Sequence, residues 1–437
     1  MTRTTGRLGG RTSFAAAALT PVLLAVLAAV GAAPSAPPAP REVDELVDAW
    51  WEADARSEAG LDERRRILAR LDEITGPLGS REIATWTKTL TKRWEKGPRL
   101  DKGSGRQFWW EQEERGLFFV GGETKRPKGL FLGMHGGGLG SGDASTSHSA
   151  WSAAADKYGW VGLFPQVLEQ TELGWTDSGT EEFVMELVEA ARRTWKLDAD
   201  HVFFGGHSMG GYGSWTLGSH HADTVAALTP AAGAPSPYLG PDGKAVDIVP
   251  GVIPSLRNVP MVIYQSRDDP RVPPDANQVA VKRLGEARQR WGGFDFEYWE
   301  VDGMGHDYPP GGTRALLEKV HERVRDPRPE RVVWQPELAW KQQFYWLFWD
   351  RPARHALVVA DLDASANGIA ITCDQDAHGL WVLLDDELLD VEREVVVTLN
   401  GQETWRGLPE ARLSTLLITG TRGDPGLTFP YRVPVWP

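Results

Sequence analysis

One segment, His201–Gly211, restricts the fold of this 437-residue chain more than any other. Its apolar start leads directly into the pattern Gly206-x-Ser208-x-Gly210, and residues 212–217 read as the beginning of a helix. A serine hydroxyl is a poor nucleophile unless a strained strand-to-helix turn holds it exposed beside a base, and glycines permit such a turn. The segment therefore predicts a nucleophilic Ser208 at the end of a strand. The alternative is an ordinary glycine turn.

The N-terminus has the layout of a secretory signal. Three arginines precede a mostly apolar run of 17 residues, Phe14–Val30, which a Pro- and Ala-rich stretch follows up to residue 40. We therefore expect residues 1–40 to direct export to the periplasm or the extracellular space, with no stable membrane span after cleavage. Because the run is almost long enough to cross a bilayer, an uncleaved N-terminal anchor is the alternative.

Composition argues against a disordered chain and against nucleic-acid binding. Hydrophobic residues make up 41% and charged residues 24% of the chain, which is ordinary globular composition. Residues 1–40 contain three arginines and no acid, so their removal changes the net charge from -13 to -16. We expect no nucleic-acid binding, because phosphate affinity comes from Lys and Arg. Cys373 is the single cysteine, so no intramolecular disulfide forms, and its apolar neighbours predict a core position.

The chain after the signal divides into three predicted regions. Residues 41–104 read as a helical N-terminal segment, either packed on the main domain or acting as a separate interaction module. Residues 105–328 alternate short apolar runs with amphipathic ones, which predicts an α/β fold with a mainly parallel sheet and helices on both faces. Its predicted helices lie at 149–157, 181–194, 279–291 and 313–325.

Residues 330–437 predict a C-terminal all-β, sandwich-like domain. The strand-like runs include Ala356–Asp361 and Leu416–Thr419, and Asn400-Gly401 is a strong hairpin-turn dipeptide. Trp334, Trp340, Trp346 and Trp349 begin this region, and Trp109 and Trp110 begin the catalytic one. They either form an aromatic platform for a polysaccharide or polyester surface or pack in the core and between domains.

A serine nucleophile needs a base and an orienting acid. Where the serine lies on a G-x-S-x-G strand-to-helix turn, the acid (Asp or Glu) and then the histidine follow it along the chain. Asp269 follows the strand-like run Met261–Tyr264 and is our choice of acid. Asp268 is the alternative, with a turn or cap carboxylate as its other role. His306 follows the last predicted strand, Phe296–Val301, and is predicted to take the proton of Ser208 while donating to Asp269.

Two further features of the predicted site involve histidine and glycine. His135-Gly-Gly-Gly138 follows an apolar run, so we expect an oxyanion hole made by the N–H of Met209 and that of Gly137 or Gly138.

His207 is expected to point away from the site as a structural hydrogen-bonding group. We predict no metal site, since the chain's other histidines, among them His135, His148, His220 and His221, lack metal-binding spacing.

Taken together, these motifs resemble the α/β-hydrolase superfamily. The residues that carry the resemblance are His135–Gly138, Leu197–Trp215, Asp269–Pro273 and Gly305-His306. More narrowly, they are similar to secreted esterases of the polyhydroxybutyrate-depolymerase and feruloyl-esterase-like group, with dienelactone-hydrolase-like and prolyl-oligopeptidase-like enzymes nearby. The resemblance covers about residues 105–325. It implies a Ser208–Asp269–His306 triad, no cofactor, and hydrolysis of small or polymeric carboxylic esters.

Two alternatives stay open at this point. One is a prolyl-oligopeptidase-like peptidase, although no propeller-length repeat precedes the hydrolase region. The other is a noncatalytic protein whose C-terminal domain binds a polymer or glycan. Trp175 and Tyr238 lie in loops expected at the active-site edge, and we predict that they line the acyl or alcohol pocket.

Overall fold

The structure is a computed structural model that describes residues 40–177 and 179–436. The predicted secretory signal therefore lies outside the described residues, apart from Pro40. Within the described ranges, no helix is both long enough and apolar enough to cross a bilayer. Export consequently stays a prediction from the sequence.

Three helices precede the sheet: α1 (Pro40–Glu52), α2 (Glu58–Ile74) and α3 (Ser80–Trp94). They pack against two other parts of the chain. The indole N–H of Trp94 donates to Glu189 at 2.9 Å, and the hydroxyl of Ser414 donates to Asp72 at 2.5 Å. The N-terminal helices thus contact both the sheet-containing region and the C-terminal region.

An eight-stranded sheet lies in the middle of the chain. Its strands are β1 (Gly105–Trp110), β2 (Arg115–Gly122), β3 (Gly129–Met134), β4 (Trp160–Pro165), β5 (Val202–His207), β6 (Ala227–Ala231), β7 (Met261–Ser266) and β8 (Phe296–Val301). Their order is β1-β2-β4-β3-β5-β6-β7-β8, antiparallel from β1 to β4 and parallel beyond. Every residue of β3, β4, β6 and β7 is buried, which explains their lack of apolar–polar alternation.

Helices cover both faces of this sheet. They are α4 (Ala144–Lys157), α5 (Thr180–Trp195), α6 (Met209–His220), α7 (Asp275–Trp291) and α8 (Gly312–Glu318). Neighbouring side chains of β3 belong to opposite faces. Phe131 packs in one buried cluster with Trp151 of α4 and Leu317 of α8, whereas Leu132 belongs to the cluster that contains Val184 of α5. The predicted α/β architecture is confirmed.

The C-terminal region contains two further sheets. Its strands are β9 (Arg331–Trp334), β10 (Gln343–Phe344), β11 (Leu347–Trp349), β12 (Val358–Asp363), β13 (Gly368–Cys373), β14 (Leu380–Leu384), β15 (Val395–Leu399), β16 (Gln402–Gly407) and β17 (Tyr431–Pro434). One sheet has the order β9-β12-β13-β15-β16 and the other β10-β11-β14-β17. Asn400 and Gly401 join β15 to β16 with φ of 50° and 80°, as expected for an Asn-Gly hairpin turn.

One strand prediction in this region is wrong. Leu416–Thr419 lies in a helix, α9 (Leu413–Gly420), all of whose residues are buried. The cause is that a short apolar run has no periodicity that distinguishes a buried strand from a helix covered on every side. Here α2, α3 and β17 cover the helix. The helix predicted over 313–325 is also shorter, since α8 ends at Glu318.

The C-terminal tryptophans divide between core and surface. Trp334, Trp346 and Trp349 are at most 3% exposed, and the ring of Trp334 stacks on Phe344 with centroids 5.3 Å apart. Trp340 is half-buried. Three of these four tryptophans are therefore core residues. The four together do not form an exposed aromatic platform. Cys373 is buried, as its apolar neighbours indicated.

Buried charges join the C-terminal region to the sheet region. The ammonium of Lys341 lies 2.7 and 2.8 Å from the two carboxylate oxygens of Asp223, and Arg422 contacts the same carboxylate at 2.7 Å. Nearby, Arg325 contacts Asp424 at 2.8 Å. Burial alone would raise the pKa of Asp223, but Arg422 and Lys341 lower it well below its usual range. These paired charges link segments about a hundred or more residues apart.

Candidate active site

Ser208 occupies a sharp turn between β5 and α6. Its φ of 62° and ψ of -121° are strained for a residue with a side chain, and its N–H donates to the carbonyl of Ala231 at 2.9 Å. The flanking glycines permit the turn. A Cβ on Gly206 would lie 2.4 Å from the carbonyl oxygen of Gly210, and one on Gly210 would lie 2.1 Å from that of Met134. The local structure is therefore the predicted strand–turn–helix.

The three residues chosen from the sequence as nucleophile, base and acid lie in contact. The hydroxyl of Ser208 lies 2.9 Å from Nε2 of His306, and Nδ1 of His306 lies 2.7 Å from Oδ2 of Asp269. The three residues follow β5, β8 and β7. Because these strands are parallel, their carboxyl ends meet at one edge of the sheet, where open α/β sheets have their ligand sites.

Two backbone amides fix the carboxylate of Asp269 beside His306. The residue is 5% exposed, and its Oδ1 accepts from the backbone N–H groups of Arg271 and Val272, both at 2.9 Å. Its other oxygen, Oδ2, contacts the imidazole, and the amide nitrogen of Gln265 lies 3.5 Å from that oxygen. A carboxylate fixed in this way selects the tautomer of His306 whose Nδ1 carries the proton, so that Nε2 faces the serine.

Asp268, the alternative acid, has a different set of partners. Its Oδ1 accepts from the backbone N–H groups of Gly303 and Gly305 at 3.0 and 3.2 Å, and from the hydroxyl of Ser266 at 2.5 Å. The Ser266 hydroxyl and the Gly305 amide lower the pKa of Asp268. Asp268 therefore shapes the loop that carries His306, which is the turn role considered as its other function.

The sheet order, the strained elbow at Ser208 and the sequence of serine, aspartate and histidine along the carboxyl edge occur together here. The central sheet and its helices form an α/β-hydrolase fold. In this fold, the serine turn and the loop after β3 together surround the oxygen of a reacting carbonyl.

The two sides of the expected oxyanion hole are the start of α6 and the loop after β3. Met209 is the first residue of α6, so its N–H has no partner within the helix. From the other side, Gly136 approaches Ser208 so closely that a Cβ on it would lie 3.1 Å from the serine Cβ. Gly137 and Gly138 continue from there into a hairpin with Ser141 and Gly142. Gly136 was missed by sequence reasoning, although its place in the His-Gly-Gly-Gly motif was the available signal.

His135 anchors this glycine loop from inside. Its Nε2 accepts from the N–H of Val167 at 3.2 Å, and its Nδ1–H donates to the carbonyl of Gly136 at 2.8 Å. Burial lowers the pKa of His135, in keeping with a neutral ring. Trp175 is fully buried beside it and donates its indole N–H to the carbonyl of His135 at 3.2 Å. Trp175 thus packs beneath the glycine loop and bonds to it. The prediction that Trp175 lines a substrate pocket is wrong, because its side chain is fully buried.

His207 also differs from its prediction. Its ring packs against His306 and Tyr308, with centroids 4.8 and 4.6 Å apart, instead of pointing away from the site. The described residues offer no hydrogen-bond partner to its buried Nε2. His207 is therefore a packing neighbour of the candidate base, and Tyr308 packs against His207 in turn. Sequence spacing did not reveal this, because the contact joins the end of β5 to a loop about a hundred residues further along the chain.

Tyr238 lies at a surface cavity beside α6. The side chain is half-exposed, and the cavity, of about 480 Å³, is also lined by Thr176, Tyr212 and Val252. Tyr212 lies one helical turn beyond Ser208, and its N–H donates to the serine carbonyl at 3.1 Å. Tyr238 accordingly stays a candidate for contact with the acyl or alcohol part of a substrate.

The remaining histidines have structural partners. His220 and His221 both contact the buried carboxylate of Glu181, at 2.8 and 3.0 Å, and His148 stacks on Phe119. Burial would raise the pKa of Glu181, but the two histidines lower it to about 2. In the described part of the chain, no group of three or more His, Cys, Asp or Glu is arranged to hold a metal ion.

No protein-family model and no curated protein matches the chain. Several solved structures are similar to part of it. A thermostable esterase is 19% identical over 48% of this chain and 59% of its own, with a TM-score of 0.37. A poly(3-hydroxybutyrate) depolymerase from Bordetella parapertussis is 20% identical over 49% and 87%, with a TM-score of 0.36. An arylesterase is 15% identical over 65% and 96%, with a TM-score of 0.38.

The chain thus spans less than two thirds of the length of the thermostable esterase. These identities and TM-scores are too low to transfer an activity. A function for this chain has to be argued from its own site.

Proposed function

We propose that the protein is an exported serine hydrolase that cleaves carboxylic esters through an acyl-enzyme. The observation that carries the proposal is the hydrogen-bond chain from Ser208 through His306 to Asp269, with distances of 2.9 and 2.7 Å. A hydroxyl, a base and a buried orienting carboxylate in this order are the groups that acyl transfer needs. The proposed reaction uses no cofactor.

The first half of the reaction forms the acyl-enzyme. Oγ of Ser208 attacks the ester carbonyl carbon while its proton moves to Nε2 of His306, which gives a tetrahedral intermediate. The carbon–oxygen bond to the alcohol then breaks, and Nε2 returns the proton to the departing oxygen. Asp269 stays ionised throughout and balances the charge of the imidazolium.

The oxyanion of the intermediate needs fixed donors. We assign this role to the N–H of Met209 at the start of α6 and to that of Gly137, which follows directly after Gly136 beside Ser208. Gly138 is the other candidate, one residue further along the same hairpin, where it pairs with Ser141. Each donor contributes roughly 3 kcal/mol to lowering the barrier in enzymes of this kind.

The second half of the reaction releases the acid. Nε2 of His306 takes a proton from water, whose oxygen attacks the acyl carbon bound to Ser208. The second tetrahedral intermediate collapses when the bond to Oγ breaks and the proton returns to the serine. The products are the carboxylic acid and the restored enzyme.

The loops at the carboxyl edge favour an ester with apolar groups. Leu139 follows the glycine loop, Leu173 follows β4, and Tyr238 and Leu239 follow β6, and all four are among the exposed large apolar side chains. Two of them, Leu173 and Tyr238, line the cavity beside α6. We therefore expect short-chain aryl and alkyl esters to be turned over.

The test compares esters with amides. Wild-type protein and the Ser208→Ala variant are assayed with p-nitrophenyl acetate, p-nitrophenyl butyrate and a prolyl p-nitroanilide. The exposed Ser104→Ala variant is the matched control. We expect ester turnover that Ser208→Ala abolishes and Ser104→Ala retains. Preferential cleavage of the anilide would favour the peptidase alternative, and ester turnover by Ser208→Ala would refute the mechanism.

A further inference from the structure

A buried glutamine lies behind the loop that carries Asp269. Gln265 is the penultimate residue of β7, and its side chain is fully buried. Its amide nitrogen donates to the carbonyl of Ser266 at 3.0 Å and to that of Val272 at 2.9 Å. These two residues lie three positions before and three positions after Asp269. One amide group thus holds both ends of residues 266–272, which we call the acid loop.

The carboxylate of Asp269 lies beside the same amide. Nε2 of Gln265 is 3.5 Å from Oδ2 of Asp269, the oxygen that contacts His306. The N–H of Val272 donates to Oδ1 of Asp269, while the carbonyl of Val272 accepts from Gln265. Val272 is therefore held through both of its backbone polar groups. The position of the carboxylate depends on that of the glutamine.

A second buried amide fixes the orientation of the first. Nδ2 of Asn277, in the first turn of α7, donates to Oε1 of Gln265 at 2.8 Å. Asn277 is also fully buried. One end of the Gln265 amide therefore meets a donor, and the other end meets only acceptors. A reversed amide would lose all of these bonds, because oxygen would face oxygen and N–H would face N–H.

Asn277 also reaches the backbone behind the nucleophile. Its Nδ2 donates to the carbonyl of Gly233 at 3.2 Å. A Cβ on Gly233 would lie 2.1 Å from the carbonyl oxygen of Ser208, so this glycine packs directly on the serine turn. A chain of contacts therefore runs from the turn of Ser208 through Gly233 and the two amides to the acid loop.

The structure keeps this arrangement although it leaves one polar atom unpaired. Oδ1 of Asn277 is buried and has no hydrogen-bond partner among the described residues. Buried polar atoms are usually paired, so an unpaired one needs an explanation. An apolar side chain at position 277 would avoid the unpaired oxygen, but it would leave Oε1 of Gln265 without its donor.

We propose that Gln265 and Asn277 are positioning residues of the hydrolase site. Gln265 closes the acid loop so that Oδ2 of Asp269 meets Nδ1 of His306. Asn277 keeps Gln265 in the one orientation that closes the loop. Both amides act through Asp269 and not on the substrate. The inference rests on the proposed function and deepens it, since it names the residues that align the triad.

The test is a double-mutant cycle of Gln265→Met with Asp269→Asn in the full chain, with kcat and KM measured for p-nitrophenyl butyrate. Methionine has the length of glutamine but no donor. Asn277→Ala is measured in the same two backgrounds. The matched control is Gln343→Met, because Gln343 is a buried glutamine of the C-terminal region whose amide also donates to two backbone carbonyls.

We expect Gln265→Met to lower kcat about ten- to a hundredfold with KM little changed, because displacement of a catalytic group by about 1 Å can cost about a hundredfold. In the Asp269→Asn background the same substitution should have little further effect, since residues that act through one group are not additive. Asn277→Ala should follow the same pattern with a smaller loss, and Gln343→Met should keep kcat within about twofold. Thermal unfolding checks each fold, and the Asn277→Ala cycle decides if Gln265→Met does not fold.

Proton NMR gives a readout that does not depend on turnover. The N–H of His306 that donates to Asp269 should give a signal far downfield, which Asp269→Asn removes. We expect Gln265→Met to weaken this signal or shift it upfield, and Gln343→Met to leave it unchanged.

Three results would overturn this inference alone, because the wild type would still cleave the ester. They are equal losses of kcat on Gln265→Met with and without the Asp269→Asn change, wild-type kcat in both Gln265→Met and Asn277→Ala, or an unchanged downfield signal in Gln265→Met. A wild-type protein without ester turnover would overturn the proposed function and this inference with it.

Discussion

The imidazole ring of His207 packs against that of His306, the base of the proposed mechanism, with ring centroids 4.8 Å apart. Burial and the neighbouring His306 lower the pKa of His207 to about 4. His207 is therefore neutral at pH 7 and adds no second positive charge when His306 is protonated during catalysis. Its contribution to the site is the shape of its ring.

Substitution of His207 tests this packing role. His207→Phe keeps an aromatic ring of similar width, so we expect kcat for an ester to fall less than about tenfold. His207→Ala leaves space beside His306, and displacement of a catalytic group by about 1 Å can cost about a hundredfold. Steady-state kinetics of both variants measure the difference. Equal losses in the two would mean that His207 acts through a hydrogen bond.

Substitution of Asp269 and substitution of Asp268 should have clearly different effects on kcat. Asp269→Asn removes the acceptor that orients His306, and we expect kcat to fall by about three to four orders of magnitude. Asp268→Asn keeps an oxygen that can accept from the loop amides of Gly303 and Gly305 and removes the negative charge, so a loss within about tenfold is expected. Both rates are measured with the same ester. A larger loss in Asp268→Asn would reverse the assignment of the acid.

The support of the glycine loop by Trp175 is testable with a matched pair. Trp175→Phe keeps a ring but removes the donor to the carbonyl of His135, so we expect kcat to fall about three- to tenfold with KM little changed. Trp215 is equally buried, and its indole N–H has no partner among the described residues. Trp215→Phe should therefore leave kcat almost unchanged. Equal effects of the two substitutions would remove the special role of Trp175.

Acid should weaken the fold through buried carboxylates. The pKa of Glu181 is about 2 in the folded protein, below its ordinary value of 4.5, because the contacts with His220 and His221 outweigh burial. A lowered carboxylate pKa adds stability above pH 4.5 that is lost as the pH falls towards 2. The lowered pKa of Asp223 acts in the same direction.

Melting temperatures measured across the acid range check this expectation. Glu181→Gln should be less stable than wild type above pH 4.5, and the difference should shrink as the pH approaches 2. An unchanged difference across that interval would show that Glu181 does not titrate with folding.

The buried strands and the turn at Ser208 could be predicted from the sequence, because patterns of neighbouring residues determine them. Buried strands such as β3 and β5 are apolar throughout, and the elbow at Ser208 has glycines because backbone atoms leave no room for a Cβ. The choice of Asp269 and His306 combined the strands that precede them with the chain order serine, acid, histidine of α/β-hydrolases. The strands and the elbow thus needed only neighbouring residues, whereas the acid and the base also needed the resemblance to that superfamily.

Other features depend on packing between distant segments. The apolar run in α9 fits a strand or a buried helix equally well, and only its covering by α2 and α3 decides between them. Trp175 lies in a loop, but its side chain turns inward to His135.

The central claim is that His306 activates the hydroxyl of Ser208. The most direct measurement is the rate at which a fluorophosphonate forms a covalent adduct, with the labelled residue located by peptide mass spectrometry. The account predicts one adduct on Ser208, none in Ser208→Ala, and labelling at least about a hundredfold slower in His306→Ala. Labelling of His306→Ala at the wild-type rate, or of a residue other than Ser208, would contradict it.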